Sequence, residues 1–370
     1  MKPYTPRGFK DVLPEEARIR ENLKKRSLDV FDLWGYDPIE TPALEVLDVL
    51  EKGSSIDAAT FRLFDGDNNL LVLRPDVTLP IARMVATRLA DGQTPHRFRY
   101  DMSVFRDNES SKGSSREFTQ LGIEQIGVDG CAADAETMVV MIESLRACGL
   151  GNFKLEFCNV EVLQRLLEAC DMGEGFDRAV QAAYHTSNYV KLDNIVDDAV
   201  AGLWDGKKLC DKLATCLKEL IRIHGGRESI SQCAAMLDGY VRPQVFDDLL
   251  ATWDLVESCG YARYIGVDFS LLSSFDYYTG IIFEAFVQGF GKSIGGGGRY
   301  DGLLEVFGKS MPAAGFAFSL ENLMHALAFD GMLELEPADK NVVEGGDADA
   351  FARAMRMHAQ GKVAMLGGAR

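Results

Sequence analysis

The chain has 370 residues, 47% of them apolar, 26% charged and 9% aromatic, a composition that excludes disordered, fibrous and low-complexity classes. Lys and Arg number 39 against 56 Asp and Glu, a formal net charge of −17, which argues against a protein that grips RNA or DNA by neutralising phosphates. No apolar run of about 18 residues occurs and none follows the N-terminal charges, so neither a membrane span nor a signal peptide is expected, and the expected compartment is the cytoplasm.

Eight cysteines lie scattered without a CxxC pair and five histidines stand alone, so neither a disulfide framework nor a zinc site is expected. In chain order, Ile19, Leu23, Val30, Phe31 and Trp34 recur at helical spacing and predict a helix over Glu15–Trp34, with Pro14 at its start and Gly35 at its end. Phe61–Leu73 reads as two strands around Asp65-Gly66-Asp67-Asn68-Asn69, a hairpin. Phe98, Tyr100, Met102 and Val104 alternate with polar residues and predict a strand with one buried face. Its return, Glu117–Ile126, puts Phe118, Gln120, Gly122, Glu124 and Ile126 on one face. Gln120 and Glu124 then stand roughly 13 Å apart along the strand, with bare backbone at Gly122 where a ligand could lie close, a candidate pocket floor.

Residues from about 170 to 258 read as a helical insertion, with Leu209, Leu213, Leu217 and Leu220, then Phe246, Leu249 or Leu250, Trp253 and Val256, at helical spacing. Strands are predicted at Tyr261–Leu272 and Ile281–Val287. A Gly-rich turn over Ile294–Gly298, a helix begun around Gly302 and an apolar helix over Phe316–Leu327 follow. The last 40 or so residues offer one helix, Asp349–His358, and one strand, Val363–Leu366, too little for an independent domain.

Gly291-Lys292-Ser293 and Gly308-Lys309-Ser310 imitate the end of a phosphate-binding loop but lack its upstream glycine, and Gly295–Gly302 never satisfies GxGxxG. Three constellations remain. Asp76 and Thr78 follow a strand-turn and either cap a helix or hold a ligand ammonium. Arg106, at a strand end ahead of Arg116, Gln120 and Glu124, is either a surface charge or a bidentate clamp for a carboxylate. Tyr277 and Tyr278 are core or pocket edge, and their hydroxyls need partners if buried.

In order, these segments resemble the class II aminoacyl-tRNA synthetase core, and within it the histidyl-tRNA synthetase family, from Pro6 through about Leu327. Gly35–Glu45 resembles the first family motif, which forms the dimer interface, and Phe98–Gln120 the second. Asp276-Tyr277-Tyr278-Thr279-Gly280 and Gly297-Gly298-Arg299-Tyr300-Asp301-Gly302 resemble the two signatures of the histidine-specific branch. The resemblance implies an α+β fold, an antiparallel sheet flanked by helices, with residues 1–327 a histidine-binding core that includes the insertion, and 328–370 a short tail that is the remnant of an anticodon-binding domain. It further implies that Asp76, Thr78, Arg106, Gln120, Glu124, Tyr277 and Tyr278 surround a bound histidine.

The pattern departs from an active synthetase at the nucleotide. Ser273 and Asn322 stand where the family keeps arginines, Asn108 where it keeps a glutamate and Ser114 where it keeps another arginine. Losing even one donor to developing phosphate charge costs about 10²–10³ in rate, so adenylation is expected to be lost and no catalytic residue, cofactor or metal is assigned. A chain with the amino-acid positions filled and the nucleotide positions altered resembles the synthetase paralogues of histidine biosynthesis, the regulatory subunits of ATP phosphoribosyltransferase. That resemblance implies a short-form catalytic subunit as partner, L-histidine as feedback effector, self-association as a dimer, and no tRNA or membrane partner. The alternative is a divergent ligase that adenylates histidine.

Overall fold

A computed structural model of the chain describes residues 4–53, 60–89, 92, 95–107, 115–272, 276–333 and 340–367. The chain forms two compact units, Met1–Asp11 with Arg20–Leu333, and Val12–Ile19 with Glu334–Arg370.

Helix α1 (Pro14–Leu33) buries Leu23 and Phe31 and stops at Gly35, whose φ of 74° suits a residue without Cβ. Short β1 (Asp37–Pro38), β2 (Leu44–Val46) and the one-turn α2 (Leu47–Leu50) follow. The expected hairpin is β3 (Arg62–Phe64) and β4 (Leu70–Leu73), and β2 joins it in a three-stranded sheet of order β2-β4-β3. Helix α3 (Thr78–Met84) runs on as a π-helical turn, Val85–Leu89.

The long strands β5 (His96–Phe105) and β6 (Glu117–Ile126) pair antiparallel over their full length, with Tyr100 opposite Gly122 and Phe98 opposite Glu124. They precede α4 (Cys131–Ala147), β7 (Lys154–Asn159) and α5 (Val160–Cys170), which Asn159 caps by accepting from Glu161 N at 2.9 Å. The insertion contains α6 (Glu174–His185), α7 (Tyr189–Val200), α8 (Asp211–Leu220), β8 (His224–Gly225), α9 (Arg227–Met236) and α10 (Pro243–Ser258). It is helical as expected, but β8 pairs with the sheet edge, a two-residue strand too short to leave a sequence pattern. Strands β9 (Ile265–Asp268), β10 (Ile281–Phe286), β11 (Ser293–Arg299) and β12 (Ala313–Ser319) lead to α11 (Leu320–Phe329).

Nine strands form the main sheet in the order β1-β5-β6-β12-β11-β10-β7-β9-β8. All neighbours are antiparallel except β1 with β5 and β7 with β9. Helix α4 packs on one face, fully burying Met138, Val140, Met141, Ile142 and Leu145 between the sheet and α10. A helix apolar on every side is what two covering layers require.

Three expectations fail in one stretch. Ile294–Gly298 is no turn but part of the central strand β11; a Cβ on Gly295 would stand 2.3 Å from the Ala317 carbonyl oxygen, and one on Gly297 would stand 2.1 Å from that of Gly315. Glycine is required there because neighbouring backbone occupies the side-chain space. The segment around Gly302 is a turn ending in a 3₁₀ helix, Glu305–Phe307. The helix expected from Phe316 begins only at Leu320, since Ala313–Ser319 pairs between β6 and β11, and Ser319 caps α11 by accepting from Asn322 N at 3.2 Å.

The second unit contains β13 (Asn341–Glu344), α12 (Ala348–Ala359) and β14 (Ala364–Gly367), with β13 and β14 parallel. The helix and second strand stand where expected, and β13 was unforeseen. Val343, Ala350 and Ala354 are its small core.

Candidate functional site

Antiparallel pairing brings β6, β12, β11 and β10 side by side, and on one face of these strands lies a cavity of about 510 Å³. All seven residues assigned to histidine from the sequence line it: Asp76, Thr78, Arg106, Gln120, Glu124, Tyr277 and Tyr278.

Glu124, 1% exposed, is the hub. Its Oε1 accepts from the Thr78 hydroxyl at 2.8 Å and from Tyr100 at 3.1 Å, and its Oε2 accepts from Tyr300. Gly315, opposite it on β12, leaves room for the carboxylate, since a Cβ there would meet Oε2 at 2.0 Å. Burial pushes the carboxyl up to about 8 even though the three hydroxyls favour its ionised form.

Asp76 is buried at the start of α3, where its Oδ1 accepts from Leu79 N at 3.0 Å. The capping role is therefore real, and the same side chain also faces the cavity. Its Oδ2 and the Oε1 of Gln120 accept no hydrogen bond among the described residues, leaving two acceptors set to meet a donor-rich ligand group. Burial raises the Asp76 carboxyl and the nearby Arg106 guanidinium opposes that rise. Arg106 donates from Nε to the Pro75 carbonyl at 2.8 Å and lies over the Phe118 ring at 5.1 Å. One edge of the guanidinium is thus fixed by the protein, which orients the remainder. The Tyr277 and Tyr278 rings lie 4.8 Å apart, with Tyr300 5.9 Å from Tyr277.

The bare backbone expected at Gly122 is filled. The Tyr100 phenol and the Phe316 carbonyl occupy the side-chain space at 122, which makes that glycine a clearing for a protein ring. Tyr300 and Phe118 also belong to the wall, as do Glu284, Lys292, Ser293, Asn322 and His325. Tyr300 stands inside a quoted signature, and Tyr100 shares the buried face of β5; what the sequence does not carry is the β5–β6 register that aims Tyr100 at Glu124.

Asn322 lies in the wall with its Nδ2 donating to the Ser293 carbonyl at 2.9 Å, tying the first turn of α11 to the start of β11. Glu321 beside it is taken up by Arg20 at 2.7 Å and by Thr119 N at 2.9 Å. Asn108, Ser114 and Ser273, the other positions expected from the sequence to depart from the family's pattern, lie outside the described residues.

The sheet, the long β5–β6 pair and the pocket against β10–β12 define a class II aminoacyl-tRNA synthetase-like core. The family model described as Histidyl-tRNA synthetase matches residues 8–323. Two relatives bear the name ATP phosphoribosyltransferase regulatory subunit. That of Moorella thermoacetica is 35% identical over 367 residues, 98% of this chain and 92% of its own length. That of Clostridium kluyveri is 33% identical over 368 residues, 98% of this chain and 93% of its own. A crystal structure from Bacillus halodurans C, described as an ATP phosphoribosyltransferase regulatory subunit/histidyl-tRNA synthetase, superposes with a TM-score of 0.88 at 30% identity, covering 99% of this chain and 93% of that one. The chain belongs to the histidyl-tRNA synthetase family, in the branch of ATP phosphoribosyltransferase regulatory subunits.

Proposed function

We propose that this chain is a non-catalytic regulatory subunit of ATP phosphoribosyltransferase, needed for the first step of histidine biosynthesis and conferring feedback inhibition by L-histidine. The observation that carries it is the convergence of Asp76, Gln120 and Glu124 with Arg106 and two tyrosines in one cavity. In this reading the orphan oxygens of Asp76 and Gln120 take the ammonium, Arg106 the carboxylate, and Glu124 the ring. Asn322, a neutral amide held by Ser293, stands where adenylation would call for a cation.

The partner is the short-form catalytic subunit. Histidine shifts the assembly only through differential affinity for its active and inactive states. Two copies pair through the three-stranded sheet, and the unit at 340–367 is the remnant of a tRNA-reading domain, in a chain whose acidity does not suit tRNA.

The test is the phosphoribosyltransferase rate of the short-form catalytic subunit, with and without this chain, across a histidine titration. A rate that depends on the chain and falls with histidine supports the reading; no effect on either overturns it. Arg106→Ala should raise the inhibitory histidine concentration roughly 10- to 100-fold while leaving assembly intact, because it removes a hydrogen bond to a charged group. Arg106 and Lys292 in the same wall favour the ligase alternative, and histidine-dependent exchange of pyrophosphate into ATP by the isolated chain would support it.

A further inference from the structure

Tyr100 is 2% exposed and does not belong to the cavity wall, yet it reaches the residue at the wall's centre. It stands opposite Gly122 in the β5–β6 register, and a Cβ at 122 would lie 2.6 Å from its hydroxyl and 2.7 Å from Cζ. Glycine thus lets the phenol cross β6 and place its hydroxyl 3.1 Å from Oε1 of Glu124. Thr78 donates to the same oxygen and Tyr300 to the other. A carboxylate offers about four lone-pair sites. Three hydroxyls take three of them, so one site, on Oε2, is left for a ligand.

We propose that Tyr100 is a positioning residue: it fixes Glu124 so that a single lone pair faces the cavity, which makes the site selective for a heterocycle that brings one ring N–H. This deepens, and rests on, the reading of the cavity as a histidine site. It fixes a role the ligand must fill, since a ring nitrogen without hydrogen, or one carrying a methyl group, leaves that lone pair unmatched in a buried place.

The same contact sets how binding responds to pH. A ligand N–H needs Glu124 ionised, burial opposes ionisation, and each hydroxyl donor favours it. Besides Tyr100 itself, the titratable groups that interact with Glu124 among the described residues are Asp76 ahead of α3, Tyr277 and Tyr278 ahead of β10, Tyr300 after β11 and, through charge alone, Tyr36. Asp76 is the one acid among them, and its charge also opposes ionisation of Glu124. Removing the Tyr100 donor must then move the onset of binding to higher pH.

The experiment is calorimetric titration of the full chain with histidine and with its two ring-N-methyl isomers, between about pH 6 and 9, for the wild type, Tyr100→Phe and a chain carrying 3-fluorotyrosine at position 100. The wild type should bind histidine and reject at least one methyl isomer. Tyr100→Phe should bind histidine roughly 10- to 100-fold more weakly at neutral pH, with its pH midpoint raised and its discrimination between isomers reduced. The fluorinated phenol, a stronger donor of the same shape, should lower the midpoint. Should Tyr100→Phe fold poorly, the fluorinated chain alone decides by the direction of that shift. Wild-type affinity and an unmoved midpoint in both variants overturn the role of Tyr100, including where Tyr100→Phe merely melts earlier. Failure of the wild type to bind histidine overturns the histidine reading itself, and the role with it.

Discussion

Glu124 gathers three hydroxyl donors in the cavity wall, and its proton leaves a mark on stability. Its carboxyl rises from an ordinary 4.5 to about 8 through burial, so between those values the folded chain holds a proton that the unfolded chain has released. The stability tied to that proton is complete below about 4.5 and lost as pH rises through about 8. Glu124→Gln cannot ionise, and the rotatable hydroxyls of Thr78, Tyr100 and Tyr300 can turn to accept from its amide. Urea midpoints of the ligand-free proteins should therefore diverge across this window, the wild type losing a few kcal/mol relative to the variant on going from low to high pH. The Asp134 carboxyl, raised to about 6 by burial against the pull of Arg299, titrates in both proteins and cancels in the difference. Parallel curves would mean that Glu124 ionises like an exposed carboxylate. Gln120 and Glu124 were legible in the sequence because they share one face of an alternating strand. Asp76, Thr78, Arg106, Tyr277 and Tyr278 joined them only through the family resemblance, their local patterns serving as well for a cap, a surface charge and core. Tyr100 was not legible, because its function depends on a cross-strand pairing that no local pattern encodes.

Among the elements, legibility followed periodicity. Helix α1, the β3–β4 hairpin and the β5–β6 pair carry clean patterns, and each formed within a few residues of expectation. Strand β11 carries none, because Ile294 is its only large apolar side chain and four consecutive glycines hide the alternation that betrays a strand. Strand β12 misled in the other direction: Phe316, Leu320, Leu323 and Leu327 fit a helical stripe although the first belongs to the sheet. Close packing of backbones gives β11 a testable signature. Gly297→Ala should cost about 3 kcal/mol or more, or abolish soluble expression, since its Cβ would meet a carbonyl oxygen of β12 at 2.1 Å. Gly302→Ala, in the turn beyond, meets only a methyl carbon of Thr279 at 3.7 Å and should leave the denaturation midpoint nearly unchanged. Equal effects at the two positions would contradict the close strand contacts that explain the glycine run.

At the scale of the whole molecule, an acidic chain leaves an apolar sheet face open. In the three-stranded sheet Val46, Leu71 and Leu63 stand abreast, with Leu44 beside Leu73, and Leu44, Val46 and Leu63 are 40%, 41% and 38% exposed. Single exposed apolar residues are ordinary, but a sheet face made of them calls for a cover. Pairing of two copies here would supply it, as the resemblance of Gly35–Glu45 to a dimer-forming motif implies. The doubly substituted chain Val46→Glu/Leu63→Glu should then sediment as a folded monomer at concentrations where the wild type is a dimer. It should bind histidine normally, because neither residue lines the cavity. Two bodies of net charge −17 repel as they meet, and salt screens that repulsion, with a Debye length of about 30 Å at 0.01 M falling to about 8 Å at 0.15 M. Apolar burial is not weakened by salt. Dimerisation through this face should accordingly tighten as salt is added, whereas an interface held by ion pairs would loosen, and a dimer that survives both glutamates would place the contact on another surface.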